Sequence, residues 1–403
     1  MKKYIIAYTV TFYFMLTGNV VFCQGFLKAE GKQIVNEKGE NVLLRGIGLG
    51  GWMLQEPYMF QLSEVAGNQT DIKSKISGLI GQKSCDEFYM RFLTNMITEK
   101  DIEALKKWGF NSLRLPMHYN LFTLPVEKEP VAGQNTWLET GFKLTDNLLS
   151  WCRKYSIYLI LDLHAAPGGQ GNDRPIADID TLKPRLWESE ANQNKTVALW
   201  KKLAGRYKDE EWIGGYDLIN ETNYKLEGNA ALKKLFSKIT GEIRKIDKKH
   251  IIFIEGNQFA NDYTGLTPPW DNNMIYSFHK YWNPNTLESI QKYLDMREKY
   301  DVPLWMGESG ENTTEWFKAA VNLFETNNIG WSWWTIKKIG SENSLMTISK
   351  PAGYQKITDY WLGKGPKPTV EEATKTLLEL AENVKFEKCK INTGVLEALF
   401  GKK

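Results

Sequence analysis

The chain has 403 residues, 42% hydrophobic and 25% charged, a profile that excludes a disordered or fibrous protein and leaves ample material for a large core. Its net charge of +3 is too small to point to nucleic acid or an anionic membrane surface as the main partner. Aromatic residues are abundant, with 15 Trp, 18 Tyr and 18 Phe, which suits both a large core and flat platforms for stacking sugars.

Lys2 and Lys3 precede an apolar run over 4–16, and a Thr17-Gly18-Asn19 break leads to Cys23 and Gln24. This is the pattern of a secretory signal peptide over 1–23 with cleavage near Cys23 to Gly25, and it predicts an extracytoplasmic protein. The run is short for a membrane span, so none is expected. Bulky Phe22 argues against a lipid anchor at Cys23. The cysteines that remain, Cys85, Cys152 and Cys389, give neither a disulfide framework nor metal-ligand spacing.

In the mature chain, alternation over 28–39 with a Lys38-Gly39 turn predicts a hairpin. A strand over 42–47 follows, then Gly48-Leu49-Gly50-Gly51, which fits neither a dinucleotide fingerprint nor a phosphate loop and reads as a tight turn. Residues 53–98 form an insertion rich in helix formers. A helix over 101–108 is ended by Gly109. The strand over 110–116 exits through Met117, His118, Tyr119 and Asn120. A helix over 142–155 leads to a strand over 157–163 and a loop from His164 to Gln170. A helix over 196–207 precedes an apolar strand over 213–219 that ends abruptly in Asn220 and Glu221. Further strands are expected over 251–254, over 274–278 with His279 to Trp282 at its exit, over 302–307 ending in Glu308, and over 329–334. Helices over 230–245, 286–299 and 316–326 alternate with them. Beyond these lie helices over 354–361 and 371–384, separated by a Gly/Pro linker, and a basic tail from Lys385.

Eight strands alternating with helices predict an α/β protein with a closed (β/α)8 TIM barrel. An open doubly wound sheet is the alternative, but polar residues sit at most strand ends here rather than at one switch point. The expected organisation is a signal peptide over 1–23, a barrel domain over 24–362 carrying the hairpin and the 53–98 insertion, and a tail over 363–403 packed on or trailing the barrel.

At the functional face of such a barrel, Glu221 and Glu308 supply two carboxyls that can face each other, the requirement for glycoside hydrolysis. Three of the four histidines, His118, His164 and His279, also fall at strand exits, and His250 is the exception. Asp162 and His164 admit a metal site, but no His-x-His pair occurs and the other histidines are dispersed, so no metal and no cofactor are expected.

The ordered set of Arg114-Leu115-Pro116 with His118, Asp162-Leu163-His164, Asn220-Glu221, His279-Lys280-Tyr281, Gly307-Glu308 and Trp334 resembles glycoside hydrolase family 5, retaining (β/α)8 glycosidases. The resemblance runs from Leu43 to Lys338. The segment from Leu161 to Gln170 is similar to a loop of the exo-β-1,3-glucanases of that family. The resemblance implies Glu221 as acid/base and Glu308 as nucleophile, with Arg114 and Tyr281 bonded to Glu308. It further implies Asn220 at the sugar 2-hydroxyl, His118, His164 and His279 as orienting or hydroxyl-binding groups, and Trp334 as the floor under the reacting sugar. The expected activity is that of a retaining β-glycosidase on a β-glucan or related oligo- or polysaccharide, in a monomer. A β-mannan-directed hydrolase and a non-catalytic carbohydrate-binding protein are the alternatives.

Overall fold

The apolar runs become strands buried along their whole length, as parallel strands covered on both faces must be. In the computed structural model, which describes residues 25–401, a hairpin of β1 (Lys28–Glu30) and β2 (Gln33–Val35) precedes eight parallel strands. These are β3 (Arg45–Gly48), β4 (Ser112–His118), β5 (Tyr158–Ala165), β6 (Ile213–Asp217), β7 (Ile251–Glu255), β8 (Met274–His279), β9 (Leu304–Gly310) and β10 (Gly330–Trp334). They pair in chain order and β10 closes on β3, so the fold is the predicted (β/α)8 barrel and not an open sheet. The expected signal peptide lies outside the described residues, and no described helix is long and apolar enough to cross a membrane.

Two local expectations are corrected. The first hairpin reverses at Gly31, whose φ of +56 suits glycine, and not at Lys38-Gly39. The latter is a second turn, held by Asn36 Oδ1, which accepts from the backbone N–H groups of Lys38 and Glu40, both at 3.0 Å. Strand β6 stops at Asp217, two residues short of the apolar run. Leu218 and Asn220 still donate to Phe253 and Leu163 of the flanking strands, at 3.4 and 3.1 Å, which pins the segment while it turns toward the mouth.

The insertion folds as two helices, Gln69–Ile80 and Gln82–Met96, the first capped by Asn68 accepting from Asp71 N at 2.8 Å. Helix Glu99–Trp108 opens with a Thr98/Asp101 capping box and ends, as predicted, at left-handed Gly109. After the barrel, β11 (Lys337–Ile339), β12 (Met346–Ile348) and β13 (Lys390–Ile391) form a small sheet. The segment read as a basic tail contains β13 and a helix, Thr393–Phe400. Phe400 packs edge-on to Phe110 at 4.8 Å and lies 5.7 Å from Trp331, so the C-terminal segment is packed on the barrel. The helix follows Lys385, Lys388 and Lys390, and its apolar pattern (Val395, Leu399) is too short for periodicity to reveal it.

Candidate active site

The mouth is built on a buried cation. Arg114 projects from β4 with no exposed surface, and four carboxylates converge on it. Its Nε donates to Asp217 at 3.0 Å, Nη2 to Asn220 Oδ1 at 2.7 Å and to Glu255 at 2.8 Å, and Nη1 to Glu308. Asp162 lies 3.2 Å from Nη2. Burial pushes the carboxyls of Asp162 and Asp217 above their ordinary range in spite of the guanidinium, so both retain protons readily and lessen the charge packed around Arg114.

Strand register shifts between Met117 and His118 and between Phe278 and His279, where these strands reach the mouth. Such irregularities re-aim side chains at strand ends. Glu221 lies at φ 35, a left-handed conformation that costs a non-glycine residue about 1–3 kcal/mol. Its backbone N–H donates to Glu255 at 2.7 Å. Glu221 Oε1 meets His279 Nδ1 at 2.6 Å, and the other ring nitrogen of His279 lies 3.3 Å from Glu255. Burial lowers the basicity of His279, but the charges of Glu255 and Glu308 and the bond to Glu221 outweigh it and hold the imidazole pKa well above 6.5. His279 is therefore a cation between carboxylates. Glu308 accepts from Tyr281 OH at 2.8 Å on Oε2, opposite the oxygen taken by Arg114. Burial, reinforced by the charges of Glu308 and Glu221, pushes the Tyr281 hydroxyl far above its ordinary value, so it remains a donor.

His164 is neutral. Burial pulls its pKa down to about 4, and its Nδ1 meets Asp162 at 2.8 Å. Its other nitrogen faces Asn220 Nδ2 at 3.4 Å, which fixes the amide so that Oδ1 receives Arg114. Trp334 stacks parallel to the His164 ring at 5.4 Å and donates to Tyr58 OH at 2.6 Å. The glycines after β3 have a reason the tight-turn reading did not supply. A Cβ at Gly48 or Gly50 would lie 2.7 or 2.6 Å from the Trp334 indole, so these residues clear room for the tryptophan, and only Gly51 has positive φ. His118 is held elsewhere, by Asp178 at 2.8 Å.

A cavity of about 890 Å³ opens here. Of the predicted residues, Glu221, Glu308, His164, His279, Tyr281 and Trp334 line it, whereas Arg114, Asn220 and His118 stand behind or beside it. The wall also holds residues that sequence reasoning missed: Glu56, Tyr58, Asp173, Phe259, Trp282 and Glu311 among them. Glu255 was legible, because an acid directly after an apolar run is the signal that found Glu308. Nothing in the sequence around Glu56 and Tyr58 marks them.

Among the described residues, two groups of three donor residues lie with their ligand atoms within 4.8 Å of one another, Asp162/Asp217/Glu255 and Glu221/His279/Glu308. The first surrounds the Arg114 guanidinium, which already supplies the positive charge. In the second, His279 Nδ1 is already bonded to Glu221, and Arg114 and Tyr281 take the two oxygens of Glu308.

A parallel barrel with two carboxyls converging in a cavity at its C-terminal face is the framework of a glycosidase. The model of the cellulase family, glycosyl hydrolase family 5, matches residues 68–340, and the chain belongs to that family. It is a glycoside hydrolase. A β-xylosidase of Phanerodontia chrysosporium is 29% identical over 376 residues, covering 84% of this chain and 76% of that relative. Endoglucanase C of Acetivibrio thermocellus is 26% identical over 318 residues, covering 63% and 88%. Among solved structures, rutinosidase from Aspergillus niger aligns with a TM-score of 0.59 at 18% identity, covering 75% of this chain and 92% of that one, a likeness of fold.

Proposed function

We propose that the chain is a secreted, retaining β-glycosidase of a β-glucan or related glycan, with Glu221 as acid/base and Glu308 as nucleophile. The observation that carries this reading is distance: oxygens of the two carboxyls approach within 4.8 Å. Retaining enzymes hold the pair at about 5–5.5 Å, while inversion needs about 6.5–9.5 Å to admit water between them.

In the first step protonated Glu221 gives its proton to the glycosidic oxygen as Glu308 attacks the anomeric carbon. The bond to the leaving sugar breaks, and a glycosyl ester forms on Glu308. Arg114 and Tyr281 hold the Glu308 carboxylate in one orientation. In the second step Glu221, now a carboxylate, takes a proton from water, which attacks the same carbon and releases Glu308. Asn220, oriented by Arg114 and His164, is assigned to the sugar 2-hydroxyl, and Trp334 to the floor below the reacting ring.

Glu221→Ala and Glu308→Ala should each lose most of the turnover, and azide should restore Glu221→Ala with formation of a β-glycosyl azide. Near-normal kcat in either variant overturns the assignment. EDTA should leave the rate unchanged; loss restored by zinc counts against a metal-free mechanism. The relatives' names, β-xylosidase and endoglucanase, differ in sugar and mode of attack. Product profiles on laminarin, barley glucan, cellulose, xylan and mannan decide among them. Secretion predicts a mature chain beginning near residues 23–25, read by intact mass, and light scattering should give a monomer.

A further inference from the structure

Glu221 is held at two points, and both lead to one buried carboxylate. Its backbone N–H donates to Glu255 Oε2 at 2.7 Å. Its own Oε1 meets His279 Nδ1 at 2.6 Å, and the far nitrogen of that ring lies 3.3 Å from Glu255 Oε1, a contact of charge and not a hydrogen bond. One oxygen of Glu255 is therefore on the main chain of the proposed acid/base, and the other is beside the ring that grips its carboxyl. Glu255 ends β7, is buried, and does not line the cavity, so the glycan does not reach it.

The strand exit that carries Glu255 is itself fixed. Asn257 and Asp262 exchange backbone hydrogen bonds at 2.9 and 2.8 Å and close the loop after β7. The same loop grips the chain beyond Glu221. Asn257 Oδ1 accepts from Tyr224 N at 3.3 Å, its Nδ2 donates to Tyr224 O at 2.9 Å, and Phe259 N donates to Thr222 O at 3.2 Å. On the near side Asn220 N is tied to Leu163 O at 3.1 Å. Between these ties stands Glu221 at φ 35. A left-handed residue of this kind persists only where its surroundings over-determine it. A backbone N–H bonded to a carboxylate is the stronger, charge-assisted kind of tie.

We propose that Glu255 is the positioning residue of the acid/base: it fixes the backbone of Glu221 in the left-handed turn and holds His279 against Oε1. Oε2 is then the oxygen that passes its proton to the glycosidic oxygen and later takes one from water. The assignment rests on the glycosidase reading. Burial opposes a charge on His279, and the carboxylate of Glu255 is the first of the charges that restore it. The anion left on Glu221 after the first step is thus met by an imidazolium already in place. Glu308 depends less on Glu255. Arg114 Nη2 donates to Glu255 at 2.8 Å, but the guanidinium also keeps Asp217 on Nε and Asn220 on Nη2, and it reaches Glu308 through Nη1. Removing the charge of Glu255 should therefore weaken proton transfer and spare nucleophilic attack.

The test is the dependence of kcat/KM on the leaving group, for wild type, Glu255→Gln and Glu255→Ala, with aryl β-glycosides of the sugar turned over fastest. A 2,4-dinitrophenolate leaves without a proton, whereas a 4-methylphenolate needs one. Glu255→Gln keeps the shape and one acceptor oxygen. It should lose about tenfold or more on the 4-methylphenyl glycoside, part of what general acid catalysis supplies, and less than about twofold on the 2,4-dinitrophenyl glycoside. Glu255→Ala should widen that gap, and if it fails to fold the isosteric variant decides. Equal losses on the two glycosides overturn the proposal, because they mean a general loss of the site; so do unchanged rates on both. Either result leaves the glycosidase reading intact, since wild type still turns the substrates over. Failure of wild type on every aryl β-glycoside and glycan sinks that reading and this inference with it.

Discussion

His279 and His164 approach the two oxygens of Glu308 at 3.7 and 3.9 Å, yet they carry different charges. His279 is wedged among Glu221, Glu255 and Glu308, and the charges of Glu255 and Glu308 with the bond to Glu221 outweigh the cost of burying an imidazolium. His164 instead has Asp162 as partner and Trp334 as neighbour, and burial wins. The pair should separate in an imidazole nitrogen NMR titration: His164 stays neutral down to about pH 4, and His279 stays charged through 6.5 and above. A folded pKa raised above the unfolded value gives stability that is full below about 6.5 and is lost as pH rises through the folded value. A depressed histidine does the reverse, costing stability as pH falls from 6.5 toward about 4. His164→Gln should therefore narrow its stability gap to wild type on acidification across that window, measured by urea unfolding. A His279 that titrates at or below 6.5 contradicts the assignment.

Tyr281 donates to Glu308 at 2.8 Å, and desolvation of its hydroxyl beside the charges of Glu308 and Glu221 keeps it protonated. A hydrogen bond to a charged group is worth about 1.5–3 kcal/mol. Tyr281→Phe should lower kcat by about tenfold or more and leave KM little changed, because the bond orients the proposed nucleophile and makes no claim on the rest of the glycan. A variant that raises KM at constant kcat would place Tyr281 in substrate binding instead.

How far the sequence reached is explained by where each signal comes from. The barrel was legible because a fully buried parallel strand must be an apolar run, and eight such runs are unambiguous. Glu308 and His279 were legible because each follows such a run directly, and Glu221 because only Asn220 separates it from one. Glu255 obeys the same rule and was passed over. Glu56 and Glu311 reach the cavity from loops and Tyr58 from a single 3-10 turn, Pro57–Phe60, whose local pattern carries no record of where the chain returns. The C-terminal helix was hidden by its shortness, and the purpose of Gly48 and Gly50 by a partner, Trp334, far away in the chain.

Arg114 is the group most costly to lose. It is fully buried and meets Asp162, Asp217, Glu255 and Glu308, so its removal leaves the carboxyls packed together with His279 as their remaining cation. Breaking a buried pair of this kind costs about 3–5 kcal/mol. Arg114→Gln should lose stability of that order near neutral pH and recover part of it in acid, where the carboxyls protonate. Urea midpoints at pH 7 and pH 5 give the comparison, and a pH-independent gap would mean that packing and not charge accounts for the loss.

Lys337 holds the C-terminal segment to the barrel. It is buried, paired with Asp101 at 2.6 Å, and donates to the carbonyls of Met96 and Val384 at 2.7 and 2.9 Å. Those carbonyls terminate the helices Gln82–Met96 and Val370–Asn383, whose last turns lack partners of their own. One ammonium thus satisfies two helix ends and the first turn of helix Glu99–Trp108, where Asp101 also closes the capping box. Lys337→Met fills the same space with an apolar chain but strands Asp101 and both carbonyls. It should cost about 3–5 kcal/mol, while kcat of the remaining folded enzyme stays near wild type, since none of these groups lines the cavity. The double variant Lys337→Met/Asp101→Asn should recover part of the stability by removing the orphaned charge. Measured by urea unfolding alongside activity at low temperature, a loss of kcat without a loss of stability would contradict this account.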